Sequence, residues 1–299
     1  MMAENISGIL IIDKPGGFTS FDVIAVLRGV LKTRKIGHSG TLDPMATGAL
    51  PIFIEKATKA IDLLPNHDKE YEAAFKLGVT TTTGDSTGEL LTKTQSSASE
   101  EDVNKALKSL TGKIKQVPPM YSAVKKDGVR LYDLARQGIT VERASKTITV
   151  YKNILEFFDE KNQTGTLTVG CSKGTYIRTI IEDLGGILKT GAVMTSLRRT
   201  KACSYGLNGS VTVDGARSMG RDALIAKIQP IDSAFPDYES VYLDNVQSNR
   251  FLNGAGLDMN RLEKIPQANI FKVYASDSKF LGLGKKDRST NELRVLKLL

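Results

Sequence analysis

The chain contains 299 residues, 40% hydrophobic and 25% charged, which indicates a folded globular protein of one large domain or two smaller ones. Lysine and arginine number 41 against 33 aspartates and glutamates, so the net charge of +8 favours a polyanionic partner, such as nucleic acid or an anionic membrane surface. Two cysteines exclude a disulfide framework, and two histidines far from them give no metal-ligand spacing. Because membrane-length apolar stretches and a secretory signal are absent, we expect a cytoplasmic protein without membrane contact.

The N-terminal part predicts a strand followed by a helix. Residues 6–12 form a short apolar run, and a turn separates them from Thr19, which has the pattern of a capping box with Asp22. The helix that follows leads into a basic stretch that includes Arg34 and Lys35. These cations are most often a solvated helix end, but they could hold phosphate if an active site lies beside them.

Residues 35–50 have the features of a functional loop. The run contains three glycines, which permit close backbone approach or a positive φ, and Pro44, which pushes Asp43 toward an extended conformation. Asp43 is the only carboxylate in the run and precedes a strand-like apolar segment at residues 49–54. It is a candidate nucleophile or base, although the loop alone slightly favours an Asx-turn with its own backbone.

The middle of the chain alternates between helical and extended patterns. We predict helices at residues 56–64, 99–110, 129–137 and 174–184, strands at residues 69–78, 147–151, 154–158 and 167–171, and no regular helix at residues 116–125. Residues 80–88 have the composition of an exposed, mobile loop, and glycines at 185–186 are expected to end the last helix. Arg178 falls at the edge of that helix's apolar face.

The C-terminal part predicts a separate small module. Prolines at positions 230 and 236 indicate a linker, and residues 241–299 contain short strand-like runs. We therefore expect an all-β module near the lower size limit for independent stability. The chain has no Gly-x-Ser-x-Gly elbow, Gly-x-Gly-x-x-Gly or Walker A string, so no nucleotide-cofactor site is visible.

The string Gly-His-Ser-Gly-Thr-Leu-Asp-Pro at residues 37–44 resembles the signature of the tRNA pseudouridine synthases of the TruB type. Other strings are similar to further motifs of that family: Asp13-Lys14-Pro15, Lys69-x-Tyr71, Leu77-Gly78, Thr81-x-Thr83-x-Asp85-x-x-Gly88, Gln116-x-Pro118-Pro119-x-Tyr121, Tyr176-Ile177-Arg178-Thr179 and Leu197-Arg198-Arg199-Thr200. Thr82 stands where the family usually has Asp. The tail more weakly resembles a PUA module, an RNA-binding β fold.

The resemblance implies an α+β protein of two parts. Residues 1–235 would be a catalytic domain built on a mixed, mostly antiparallel β-sheet flanked by helices and loops. Residues 236–299 would be the small all-β PUA-like module. The implied reaction is isomerisation of uridine to pseudouridine at position 55 in the T-loop of tRNA. It proceeds by base flipping and by cleavage and re-formation of the glycosidic bond through C5, without cofactor or metal.

The resemblance also assigns roles to the residues of the site. Asp43 would either attack C1′ or remove a proton from C2′, and Arg178 would pair with it and orient it. Tyr71 would stack on the target base and serve late proton removal, with Tyr176 and Leu197 completing the pocket. Ordinary core packing is the alternative for these three side chains.

Base flipping costs a few kcal/mol, so the space left in the RNA must be filled. The resemblance gives that role to His38, which taken alone is more often a structural residue, and gives phosphate contacts to Lys14, Arg34 and Lys35. The expected partner is the T-arm stem-loop of tRNA, bound by a monomer that needs no protein partner. An RNA-binding or tRNA-folding protein in which modification is secondary remains the alternative. A synthase acting in a guide-RNA particle is disfavoured by long loops of the stand-alone type.

Overall fold

In the computed structural model, which describes residues 6–299, strands and helices alternate along the chain. The strands are β1 (Gly8–Lys14), β2 (Ile36–His38), β3 (Thr47–Ile54), β4 (Lys69–Leu77), β5 (Val79–Thr81), β6 (Leu90–Lys93), β7 (Gly112–Gln116), β8 (Lys125–Lys126), β9 (Val129–Arg130), β10 (Lys146–Asp159), β11 (Thr164–Cys171), β12 (Ala192–Ala202), β13 (Tyr205–Gly206), β14 (Val211–Thr212), β15 (Ser240–Leu243), β16 (Leu257–Asp258), β17 (Ile270–Ala275), β18 (Phe280–Asp287) and β19 (Glu292–Leu298). The helices are α1 (Ser20–Leu31), α2 (Glu100–Ser109), α3 (Leu131–Arg136), α4 (Ile177–Ile187), α5 (Val213–Ser218), α6 (Gly220–Ile225) and α7 (Asn245–Leu252), with short 3₁₀ helices at Glu55–Leu63, Ile231–Ala234 and Met259–Arg261.

Within residues 6–299, ten strands form one mixed sheet in the order β14-β1-β3-β12-β4-β11-β10-β7, with β2 paired to β3 and β13 to β12. The β1–β14 and β3–β12 pairs are parallel, and the other neighbours are antiparallel. The predicted α+β class with a mostly antiparallel sheet is confirmed. Strand β12, from late in this part of the chain, lies between β3 and β4 and joins the first strands to the later ones.

Helix α1 begins where its sequence predicts. The Thr19 hydroxyl accepts a hydrogen bond from Asp22 N, and the Asp22 carboxylate accepts one from Thr19 N, which completes the capping box. Lys32 ends the helix in the left-handed region, with φ 55°. Val23 and Leu27 are buried in one cluster with residues of β1 and β3, so α1 fixes the strand that follows the signature loop, residues 37–44.

The two halves of the large sheet are packed differently. In β1 and β3, side chains alternate between a cluster shared with α1, α5 and α6 and a second cluster that includes Ile9, Phe53 and the 3₁₀ helix Glu55–Leu63. In β4 and β11, the buried face packs against α2 and α4, with Phe75 and Ile180 at the centre. The buried face of β4 therefore meets the beginning of α4, where Arg178 lies.

The C-terminal part forms the expected β-sheet, in the order β15-β17-β18-β19-β16. It also carries α7, whose Phe251 is buried with Phe271 of β17. Two of its residues, Leu283 and Leu299, belong to the cluster of Ile9 and Phe53 in the larger part. The predicted linker at residues 230–236 is part of the same cluster, because Phe235 is fully buried, and the domain boundary after residue 235 stays a prediction.

Several element predictions need correction. Helix α4 begins at Ile177 and continues through Gly185, so this glycine does not end the helix. A Cβ at Gly185 would lie 2.3 Å from Ala192 N, and the glycine therefore permits close contact between the helix and β12. The loop predicted at 80–88 is confirmed for residues 82–88, which connect β5 to β6 in a hairpin, but residues 80–81 belong to β5 and Asp85 is buried. The runs at 147–151 and 154–158 are one strand, β10, interrupted by irregular pairing and not by a turn. The helix predicted at 129–137 is shorter than expected, because α3 spans only Leu131–Arg136.

Candidate active site

A cavity of about 370 Å³ opens where the signature loop, the start of β4, the segment before α4 and β12 meet. Asp43, Tyr71, Tyr176, Arg178 and Leu197 all line it. The fold thus brings together side chains that are more than a hundred residues apart in sequence, and the cavity is large enough to hold a small ring system.

The signature loop is held by hydrogen bonds to residues near the start of α1. Leu42 N donates to the Ser20 hydroxyl at the start of α1, and Gly17 N donates to Pro44 O. The side chain of Asp43 is 38% exposed. Its carboxylate accepts a hydrogen bond from Arg178, 135 residues away, so the structure does not adopt the alternative of an Asx-turn.

Arg178 is the buried partner of this carboxylate. Its Nε and Nη2 lie 3.1 and 3.0 Å from the same oxygen, Asp43 Oδ2, which leaves Oδ1 unengaged by the guanidinium. Nη1 donates to Thr83 O at 3.0 Å and Nη2 to Tyr121 O at 2.8 Å. The planar guanidinium is therefore fixed by the β5–β6 hairpin and by the loop after β7, and it in turn fixes Asp43.

A second carboxylate, Asp85, lies behind Arg178. Its Oδ2 is 3.7 Å from Arg178 Nε, and its Oδ1 accepts hydrogen bonds from the Thr83 hydroxyl and from Thr87 N and its hydroxyl. Thr82, where the sequence departs from the family pattern, is exposed and takes part in the hairpin through its contacts with Glu89. The departure therefore lies outside the cavity.

The apolar wall of the cavity is formed by side chains that are also part of the core. Tyr71 and Leu197 are buried, and burial raises the pKa of the Tyr71 phenol to about 12, so this phenol is neutral at pH 7. Burial also raises the pKa of Tyr176. Gln116 holds the backbone of Tyr176 by a reciprocal pair of hydrogen bonds. Tyr71 and Leu197 thus pack in the core and also line the cavity, so the two roles are compatible.

His38 lies on β2 and is not among the residues that line the cavity. Its Nδ1 accepts a hydrogen bond from Gly40 N at 3.2 Å, so this nitrogen is unprotonated, and burial lowers the pKa of the ring. The histidine that does line the cavity is His67, which the sequence did not single out.

The predicted phosphate contact of Lys14 is wrong. Lys14 is fully buried, and its Nζ donates to the carbonyls of Pro15, Phe18 and Pro44. The ammonium group is occupied in tying β1 to the end of the signature loop, and burial lowers its pKa to about 8. Arg34 and Lys35 are exposed, as a phosphate contact requires.

Arg199 belongs to the motif at residues 197–200, but sequence reasoning gave it no role of its own. It is fully buried and donates to Ala49 O through Nε at 2.7 Å and to Gly40 O through Nη2 at 3.1 Å. Gly48 permits the contact between β3 and β12, since a Cβ there would lie 2.2 Å from Arg199 O. The available signal was the Arg198-Arg199 doublet inside an otherwise strand-like run.

Within residues 6–299, no three His, Cys, Asp or Glu side chains are grouped so that they could hold a metal ion. None of the helices in the described part of the chain has the length and apolar character to span a membrane.

Comparison with known proteins gives a consistent result. Residues 28–177 match the family described as TruB family pseudouridylate synthase (N terminal domain), and residues 178–236 match the tRNA pseudouridylate synthase B C-terminal domain. The chain is 40% identical to a tRNA pseudouridine synthase B of Ectopseudomonas mendocina over 94% of this chain and 92% of that one. It is also 40% identical to a tRNA pseudouridine synthase B of Clostridium acetobutylicum, over 98% and 99% of the two chains.

A similar solved structure is a chain of a Cbf5-Nop10-Gar1 complex. The two share 26% identity with a TM-score of 0.72, and the match covers 98% of this chain and 85% of that one.

Proposed function

Because the chain belongs to the TruB family of pseudouridylate synthases, we propose that it isomerises uridine to pseudouridine at position 55 in the T-loop of tRNA. The observation that carries this proposal is the ion pair of Asp43 and Arg178 at the floor of a cavity walled by Tyr71 and Leu197. A flipped uracil would lie against the apolar wall, and its ribose would meet the carboxylate.

The geometry supports a reacting role for one oxygen of Asp43. Arg178 contacts Oδ2 from two nitrogens, so Oδ1 is the oxygen left for the substrate. It would either attack C1′ or remove the proton of C2′, and both steps break the bond between ribose and uracil before C5 replaces N1. The neutral phenol of Tyr71 supports stacking on the base, because a charged group would be costly at that buried position.

The RNA would be held outside the cavity by exposed cations. Arg34 and Lys35 lie between the end of α1 and the signature loop, so phosphates of the T-arm would meet them beside the entrance. His38 supports the backbone of Gly40 in this structure, and it fills the space of the flipped base only if RNA binding moves the loop. We expect a monomer that acts in the cytoplasm and needs no protein partner.

The direct test is incubation of the purified protein with an unmodified T-arm stem-loop, followed by analysis of the target uridine. Wild type should form pseudouridine. Asp43→Asn should abolish the reaction and leave RNA affinity nearly unchanged, because the carboxylate acts on the sugar and does not hold phosphate. Turnover of Asp43→Asn within tenfold of wild type would contradict the assignment. The same variant measures tRNA folding separately from modification.

A further inference from the structure

One wall of the cavity carries positive charge that the chemistry of Asp43 does not use. Lys69 and Lys173 line the cavity beside His67, and we call these two lysines the cationic wall. Lys69 Nζ donates to His67 O at 2.8 Å. Burial and the positive charges of Lys173 and Lys69 lower the pKa of the His67 ring. The three side chains are therefore close together.

The charges of the cationic wall are not neutralised within the protein. Among residues 6–299, neither Lys69 nor Lys173 has a carboxylate within 4.0 Å of its ammonium group. Burial and the neighbouring Arg199 lower the pKa of Lys69, and the opposing influence of Asp68 is smaller. A half-buried lysine without an acidic partner gains stability when an anion binds beside it.

The position of Lys69 indicates which anion this is. Lys69 and Tyr71 are two residues apart on β4, so their side chains leave the same face of the sheet about 7 Å apart. If the target base stacks on Tyr71, the phosphates of the same nucleotide cannot lie far from this wall, because they are joined to it through one ribose.

We propose that the cationic wall binds a phosphodiester group that flanks the target uridine. This inference rests on the proposed function and extends it by a binding subsite. Lys69 supplies a charge shielded from water, and the exposed Lys173 supplies a second charge at the mouth of the cavity. The phosphodiester enters with the flipped nucleotide, so the wall recognises the extruded state and not the stacked one.

The test pairs a protein change with a change of the phosphate. Two T-arm stem-loops carry 2′-O-methyl groups on the target ribose and on the ribose before it. They differ only in having phosphodiesters or uncharged methylphosphonates on both sides of the target uridine. Dissociation constants are measured for wild type, Lys69→Met and Lys173→Met. Melting curves verify that Lys69→Met is folded, and Lys173→Met alters an exposed residue and does not disturb packing.

Lys161→Met is the matched control. Lys161 is an exposed lysine in the turn between β10 and β11. The pairing of β11 with β4 sets this turn beside Lys76, about 24 Å along the strand from Lys69.

For wild type and Lys161→Met, removal of the phosphate charges should weaken binding roughly 10- to 100-fold. Lys69→Met should bind the charged stem-loop with a similar loss and should show little further loss with the methylphosphonate, and Lys173→Met should lie between. If Lys69→Met and Lys173→Met retain the full effect of the methylphosphonate, the lysines contact something else, such as a uracil carbonyl, and the proposal is overturned.

An unmodified stem-loop separates this outcome from failure of the proposed function. If wild type forms no pseudouridine in it, the proposed function and this inference fall together. If wild type does form pseudouridine, but the losses from the lysine substitutions and from the methylphosphonates simply add, only the phosphate assignment is overturned.

Discussion

Two buried arginines hold the signature loop, and their hydrogen-bond acceptors differ. Arg178, at the start of α4, contacts the carboxylates of Asp43 and Asp85. Arg199, in β12, donates to backbone carbonyls of the loop and of β3. The first arginine orients the carboxylate of Asp43, which we propose to be the reacting group, and the second fixes the position of the loop itself. Burial alone therefore does not tell whether an arginine serves chemistry or architecture; the nature of its acceptors does.

Among the changes that test the difference between the two arginines, Arg178→Lys should have the largest effect, and that effect is on activity. Lysine keeps the charge but cannot reach Asp43, Thr83 and Tyr121 from one plane, so Asp43 loses its orientation. We expect the single-turnover rate constant to fall about 100-fold with RNA affinity retained. Single-turnover assays on the T-arm stem-loop measure this. Full activity of Arg178→Lys would show that charge alone suffices.

The next effect is on stability when Arg199 is changed to Lys. A lysine cannot satisfy both Ala49 O and Gly40 O at this buried position, so we expect a loss of about 2–3 kcal/mol in the free energy of unfolding. Urea denaturation measures it. Activity of the folded variant should fall less than that of Arg178→Lys. A larger fall would mean that Arg199 acts on the reaction, and the distinction between the two arginines would fail.

The smallest effect concerns Tyr71, which pairs with Arg199 across β4 and β12 and lines the cavity together with Arg178. Its pKa of about 12 in the folded protein lies above the value near 10 of an unfolded tyrosine, so its contribution is complete below pH 10 and is lost as the pH rises through 12. Between pH 8 and pH 11 this amounts to about 1.4 kcal/mol. The unfolding free energy of Tyr71→Phe should fall by that much less over the same interval. Equal pH dependence of both proteins would contradict the assigned pKa.

Sequence patterns predict local features of this fold well, and long-range ones only through the family resemblance. The capping box of α1 is readable because Thr19 and Asp22 are three residues apart. The pairing of Asp43 with Arg178 came from the resemblance, since no local rule links residues so far apart. The burial of Lys14 was missed because a lysine beside a turn is usually solvated, and only the fold shows the carbonyls that bind its ammonium group.

Gly185 illustrates the same limit. A glycine near the end of a helical pattern usually ends the helix, and this one instead admits the backbone of β12. The cationic wall was invisible for a related reason, because Lys69 and Lys173 lie on β4 and before α4, and only tertiary contacts bring them to one cavity.

The place of β12 in the large sheet has a consequence for how the protein is made. Strands β3 and β4 are neighbours in sequence, yet they are not paired; β12 lies between them, with Arg198 beside Thr47 across 151 residues of chain. Until this strand has left the ribosome, the signature loop and Tyr71 belong to separate halves of an unfinished sheet. Pairing so distant in sequence is slow, and the unpaired strand edges are exposed to aggregation while it is awaited. Because β12 joins the two halves of the sheet and carries Leu197 of the cavity, we expect the sheet and the cavity to be completed together.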